Sequence, residues 1–190
     1  TQSGEIPWVE EYRYLGVIFG RKNNRESRNK VEKLKGTALV SAHIRTLRSY
    51  FIPIYHKALV IKGIIVPSLL YGKEVGGCSG AAVKEGQRCL NRALRAAIGN
   101  GVALSAARKE LGIPPLQALV AGAIARAGSR LKKKRTTIGK LLANPGKGKN
   151  TWTNLAAREL KRMTKGAPMG TPKELETLVW RQEEGRCRAI

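Results

Sequence analysis

Apolar residues in this chain recur mainly at helical spacing. Between Arg25 and about Tyr50, Val31, Leu34, Ala38 and Ala42 fall three, four and four residues apart, which is the period of one helix face. Lys30, Lys33, Lys35, Arg45 and Arg48 lie off that stripe. Ile54 to about Tyr71 is apolar on nearly every face, the mark of a helix buried within a bundle, and Pro67 is expected to kink it or end its regular hydrogen bonding. After a glycine-rich connector at 72–80, Ala81 to Ile98 places Val83, Leu90, Leu94 and Ala97 on one side. Leu104 to Leu111 reads as a short helix, broken by Gly112-Ile-Pro-Pro. A further helix from Leu116 to Leu131 presents Leu116, Leu119, Val120, Ala123, Ile124 and Ala127, and its small residues Ala121, Gly122, Ala123 and Ala125 permit close helix approach.

The ends carry local signals. Trp8 to Phe19 is dense in aromatic and β-branched residues, with Tyr12, Tyr14, Val17 and Phe19 alternating imperfectly around Gly16, as in a short hairpin or bulged strand pair. Asn144 to Asn150 is a basic loop by composition. Thr151 is placed to cap a helix from Trp152 to about Thr164. Thr171-Pro-Lys-Glu174 combines an N-cap, Pro at the first helical position and the Glu of a capping box, ahead of Leu175, Leu178 and Val179. The expected fold class is therefore mainly α. It comprises a short N-terminal β-hairpin over residues 1–22, a helical bundle over 23–131 and an extended basic C-terminal helical part over 132–190.

Composition changes the picture chiefly through charge. The 36 Lys and Arg residues against 13 acids give a net charge of +23. Self-repulsion on that scale calls for a polyanionic partner, and nucleic acid is favoured because each neutralised phosphate releases condensed counterions. An anionic membrane would need an amphipathic helix with large apolar residues flanked by Lys or Arg. The longest apolar stretch, Ala58 to Tyr71, falls short of a span and contains Lys62 and Pro67, so no membrane partner is expected. Lys84, Arg88, Arg92 and Arg95 form a basic stripe roughly opposite the apolar side of their helix. It is either a solvated face or a row of phosphate contacts, and with Glu85 as the only acid nearby, phosphate contact is favoured. Between Glu110 and Glu159 there is no acid and there are ten Lys and Arg residues. Arg126, Arg130, Lys132, Lys133, Lys134, Arg135, Lys140, Lys147 and Lys149 from that segment join the candidate nucleic-acid contacts. Trp152 and Trp180 are expected to staple helices rather than stack on bases.

The same composition argues against several chemistries. All the acids are Glu and none is Asp, whereas two-metal nucleic-acid enzymes need clustered carboxylates to which short Asp side chains usually contribute. No Ser/His/Asp constellation or P-loop is present. Cys78, Cys89 and Cys187 form no CxxC pair, and His43 and His56 lie far from them in sequence, so no zinc site is expected. Free thiols in a reducing intracellular compartment and packing roles for both histidines follow. Catalytic residues, metal and cofactor are all expected to be absent. The chain starts without Met, and a removed upstream segment, from a larger protein or a targeting sequence, is expected.

Three stretches, in order, resemble the C-terminal part of non-LTR retrotransposon (LINE-like) reverse transcriptases. Tyr12-Arg-Tyr-Leu-Gly-Val17 looks like the primer-grip hairpin that follows the palm. Val66-Pro-Ser-Leu-Leu-Tyr-Gly-Lys-Glu-Val75 is similar to the end of the thumb helix, with Gly76 where the family usually has Trp. Lys109-Glu-Leu-Gly-Ile-Pro-Pro-Leu116 resembles the region after the thumb. The resemblance covers about residues 8–131. It implies that the helical bundle is thumb-like, that Tyr12, Arg13, Tyr14, Leu15 and Gly16 correspond to a primer grip, and that basic residues of the first helices face a nucleic-acid backbone. The palm motifs with their aspartates are absent, as is a Cys/His knuckle. The expected function is accordingly a non-catalytic, retrotransposon-derived RNA-binding protein. It would sit on a large structured RNA beside other proteins of a ribonucleoprotein particle, with a mitochondrial ribosome as first expected host and the nucleus as the alternative compartment. The competing expectation is the thumb of an active reverse transcriptase on an RNA–DNA template–primer. Binding to an acidic protein would need an exposed apolar or aromatic anchor, and the sequence identifies none.

Overall fold

The computed structural model describes residues 9–14, 17–20, 25–73, 80–133, 140, 152–168 and 170–188, and these are mainly helical. Upstream, Glu11–Tyr14 (β1) and Val17–Gly20 (β2) run antiparallel, with Tyr12 opposite Phe19 and Tyr14 opposite Val17. The expected hairpin tip, Leu15 and Gly16, lies outside the described residues, so a hairpin over 1–22 is not established as a unit. The helices are α1 (Arg25–Arg48), α2 (Ile54–Val60), a π-helical turn (Ile61–Ile65), α3 (Val66–Leu70), α4 (Gly80–Ile98), α5 (Leu104–Leu111), α6 (Leu116–Lys132), α7 (Trp152–Met163) and α8 (Pro172–Arg188).

Helix α4 is the central strut, and its burial follows its apolar period. Val83, Leu90, Leu94 and Ala97 are all buried, and α1, α5 and α6 pack around it. Leu116, Val120 and Ile124 of α6 join the same apolar cluster, as do Leu160 and Met163 of α7 and Val179 of α8. The core therefore runs from α1 into the C-terminal helices. Two close approaches set the helix spacing. A Cβ on Gly36 of α1 would lie 2.7 Å from Cys89 Sγ of α4, and one on Gly86 of α4 would lie 2.4 Å from Leu116 Cδ2 of α6. Both are far inside ordinary contact distance, so a side chain at either glycine would require Cys89 or Leu116 to shift in a packed core.

The local signals behave as their chemistry dictates. Gly112 ends α5 at φ +58°, and the Ile113 N–H donates to Arg108 O at 2.9 Å, closing the helix with the six-to-one bond of a Schellman motif. The capping box at α8 is made in both directions, from Thr171 N to Glu174 Oε2 at 3.0 Å and from Glu174 N to Thr171 Oγ1 at 3.3 Å. Pro67 does not end its helix. The Val66 N–H donates to Ile61 O, five residues back, and Tyr71 N donates to Pro67 O at 3.0 Å. The turn ahead of the proline widens because Pro67 has no N–H to give to Gly63 O and its ring crowds that carbonyl. Trp180 packs half-buried against the core, as a staple would.

Three sequence expectations are overturned. In α1 the apolar stripe was expected on Val31, Leu34, Ala38 and Ala42, but Leu34 is 62% exposed and Ala38 and Ala42 face outward. The buried face is Gly36, Val40 and Leu47, with Ile44 half-buried. Apolar residues are spread around this helix, and the face that can approach α4 most closely, the one bearing Gly36, is the one that packs. The stretch Ile54–Leu70 is not buried all round. Ala58, Ile61, Ile65, Val66 and Leu69 turn inward, while Tyr55, Leu59 and Ile64 are exposed. It packs against the bundle on one side only. His56, expected to pack, is exposed and meets the Tyr55 ring edge-on at a centroid distance of 5.7 Å.

Candidate nucleic-acid interface

The packing of α1 on α4 brings the last turn of α1 alongside the basic stripe of α4. Their junction forms a groove of about 510 Å³. Arg48 enters it from α1, and Arg88, Arg92 and Arg95 enter from α4, with Asn91 between them and Ile44 and Ala96 also lining it. At the C-terminal end of α4 the groove is continuous with a second recess of about 520 Å³, which shares Arg95 and Asn100 and adds Arg108. Five arginines thus line the two adjoining recesses. A guanidinium is a planar fork of donors suited to phosphate oxygens, and part of the fork of Arg88 and of Arg108 is already taken by Glu85 and Asn91.

The arginines are held by local structure. Arg88 is ion-paired with Glu85 one turn earlier. Arg108 Nη2 donates to Asn91 Oδ1 at 2.6 Å, and Gln87 Nε2 donates to the same oxygen at 2.8 Å. Gln87 Oε1 in turn accepts from the Leu116 N–H at 2.7 Å, satisfying a donor in the first turn of α6. One polar chain therefore ties α4, α5 and α6 beneath the recess. Lys57, itself buried, donates Nζ to Ala97 O at 3.4 Å, placing a cation at the negative end of the α4 dipole. On the core side of α4 the Cys89 thiol is pushed above its ordinary pKa, chiefly by burial, with Glu85 adding and a Thr37 hydrogen bond, Arg92 and Lys73 opposing. It is a neutral packing group at physiological pH.

The remaining candidate residues are distributed elsewhere. Lys84 is exposed on α4 one turn before Arg88 and does not line the groove. Arg126, expected to meet nucleic acid, is ion-paired with Glu176 of α8 at 2.5 Å, so half of its fork is already committed within the protein. That acid lies 50 residues away in sequence, which is why the acid-free segment looked unpaired. Arg130, Lys133 and Lys140 are exposed, and Lys132 is the last residue of α6. Lys134, Arg135, Lys147 and Lys149 lie outside the described residues, as do Leu15 and Gly16. Tyr12, Arg13 and Tyr14 lie in β1.

Sequence reasoning missed two features. Arg48 and Arg108 complete the lining from α1 and α5, and only tertiary packing reveals that. The structure also supplies exposed aromatic residues that the sequence did not single out. Tyr50 and Phe51, in the turn after α1, are 95% and 92% exposed. Among the described residues no group of three potential metal-ligating side chains comes together, and no helix is long and apolar enough to cross a membrane. Comparison with protein-family models, curated proteins and solved structures finds no match to this chain.

Proposed function

We infer that this chain is a non-catalytic RNA-binding protein acting as a structural component of a ribonucleoprotein particle. The observation that carries the inference is the groove between α1 and α4, where Arg48, Arg88, Arg92 and Arg95 meet with Glu85 as the acid beside them. Cations brought together across two helices attract a polyanion more strongly than the same charges dispersed. The net charge of +23 supplies a long-range field of the same sign. Backbone phosphates are the ligand such a surface suits, and a large structured RNA is their source in this proposal. Other proteins of the particle would cover further surface.

In the same reading the helices over 23–131 are a thumb-like bundle inherited from a non-LTR reverse transcriptase, and Tyr12, Arg13, Tyr14, Leu15 and Gly16 are a former primer grip. A mitochondrial ribosome is the proposed host. The second reading, the thumb of an active reverse transcriptase, uses the same groove on an RNA–DNA duplex, and the motif order in the sequence favours it.

Recovery of the native protein with crosslinked nucleic acid separates the two. Sedimentation within a large particle, crosslinked to one abundant structural RNA, is the expected result. Recovery inside a longer polypeptide that extends a primer would replace this proposal with the second. Removing the Lys132–Arg135 cluster by alanine substitution is expected to weaken RNA binding while leaving the helical circular dichroism unchanged.

A further inference from the structure

We propose that Tyr50 and Phe51 form a stacking platform for unpaired nucleobases at the mouth of the arginine groove. The proposal rests on the RNA-binding reading above and deepens it, because it states which form of RNA the surface selects.

The turn that joins α1 to α2 holds the two rings out. The Ser49 N–H closes the last turn of α1 on Arg45 O at 3.0 Å, and Pro53 starts α2. Between them Tyr50 and Phe51 expose nearly all of their surface. Adjacent aromatic rings left in water forgo the burial that such side chains normally gain in a core or interface. Tyr55, in the first turn of α2, is also 66% exposed.

Position selects the occupant. Arg48 lines the groove, and Tyr50 follows it by two residues, a backbone reach of at most about 7 Å. Successive phosphates along an extended strand, and the bases they carry, are separated on this scale. A strand whose phosphates lie on Arg48 and the α4 arginines therefore delivers its bases to the rings. The ring centroids are 6.1 Å apart and the planes cross at 80°. Two rings so inclined cannot continue one base stack. They can receive splayed, single-stranded bases, which offer free faces, whereas a duplex presents its bases already stacked. A surface of cations with interleaved aromatic rings thus favours loops and single strands over helices of equal charge.

The test compares the intact chain with Tyr50→Ala/Phe51→Ala on two probes, a short oligouridylate and an RNA duplex of the same length. Stacking contributes about 1–3 kcal/mol per base, so affinity for the single strand should fall roughly 5- to 150-fold for each base that stacks, while duplex affinity stays unchanged. Tyr50→Phe/Phe51→Trp, which keeps the π-faces, should restore the single-strand affinity. Because both rings are almost wholly exposed, the alanine variant should melt like the wild type. Equal loss on both probes would assign the rings to the turn's own structure and overturn the proposal. No loss on either, with wild-type binding intact, would also overturn it and point to a protein as the partner of the rings. If the wild type binds neither RNA, the RNA-binding reading itself fails.

Discussion

The groove makes a quantitative statement about salt. Replacing Arg48, Arg88, Arg92 and Arg95 with Gln removes four charges and nearly preserves side-chain length. Arg88 already shares its charge with Glu85, so it counts for less than a full phosphate contact, and three whole contacts are a fair estimate. Each contact contributes about 0.9 to the slope of log affinity against log salt on a duplex, and about 0.7 on a single strand. Three contacts therefore account for a slope of about 2.1–2.7. Between about 50 and about 200 mM salt, a fourfold span, the affinity ratio of wild type to variant should shrink roughly 20- to 40-fold.

Fluorescence anisotropy of a labelled RNA across that salt series measures the slope directly. The matching control is Lys161→Gln/Lys173→Gln/Arg181→Gln, which neutralises three exposed cations on α7 and α8 that do not line the groove. This control should leave most of the slope in place. If it lowers the slope as much as the groove variant does, binding reads net charge alone and the groove is not the site. An unchanged slope in the groove variant would refute the reasoning outright.

Three further outcomes follow from the packing. Leu94→Ala, at a position with no exposed surface in the C-terminal half of α4, should cost about 2–5 kcal/mol, read as a lower urea midpoint; a loss below about 1 kcal/mol would show that the site collapses around the deletion. Thr171→Ala removes the capping box of α8, and about 1 kcal/mol of stability with it, or about 2–4 °C in Tm for a chain of this size. Cys89 has a thiol pKa raised by burial. Its contribution to stability is whole below the unfolded thiol value of about 8.5 and is lost as pH rises through the folded value. Between about pH 7 and about pH 10 the wild type should therefore lose more stability than Cys89→Ala in urea titrations, and equal losses would contradict the assignment.

What the sequence determined by itself is what local chemistry and a single period decide. The α4 core face was legible because its large apolar residues and its arginines occupy opposite sides of one helix, with little competition between faces. The ends of α5 and α8 were legible because Gly112 and the Thr171–Glu174 pair satisfy backbone groups within a few residues of themselves. The groove was legible in part, since Arg88, Arg92 and Arg95 fall on one face of α4. Its remaining arginines were not, because Arg48 and Arg108 reach it from other helices.

Tertiary structure decided wherever two faces, or two partners, were open to the same segment. In α1 small and apolar residues lie on more than one side. The side that packs is the one where Gly36 leaves room for the Cys89 side chain of α4, and periodicity does not encode that fit. Arg126 read as lying in a segment without acidic partners until folding brought Glu176 to it. The Ile54–Leu70 stretch read as fully buried, yet burial also requires a neighbour on every face. One side of that helix and the two rings before it are left facing water.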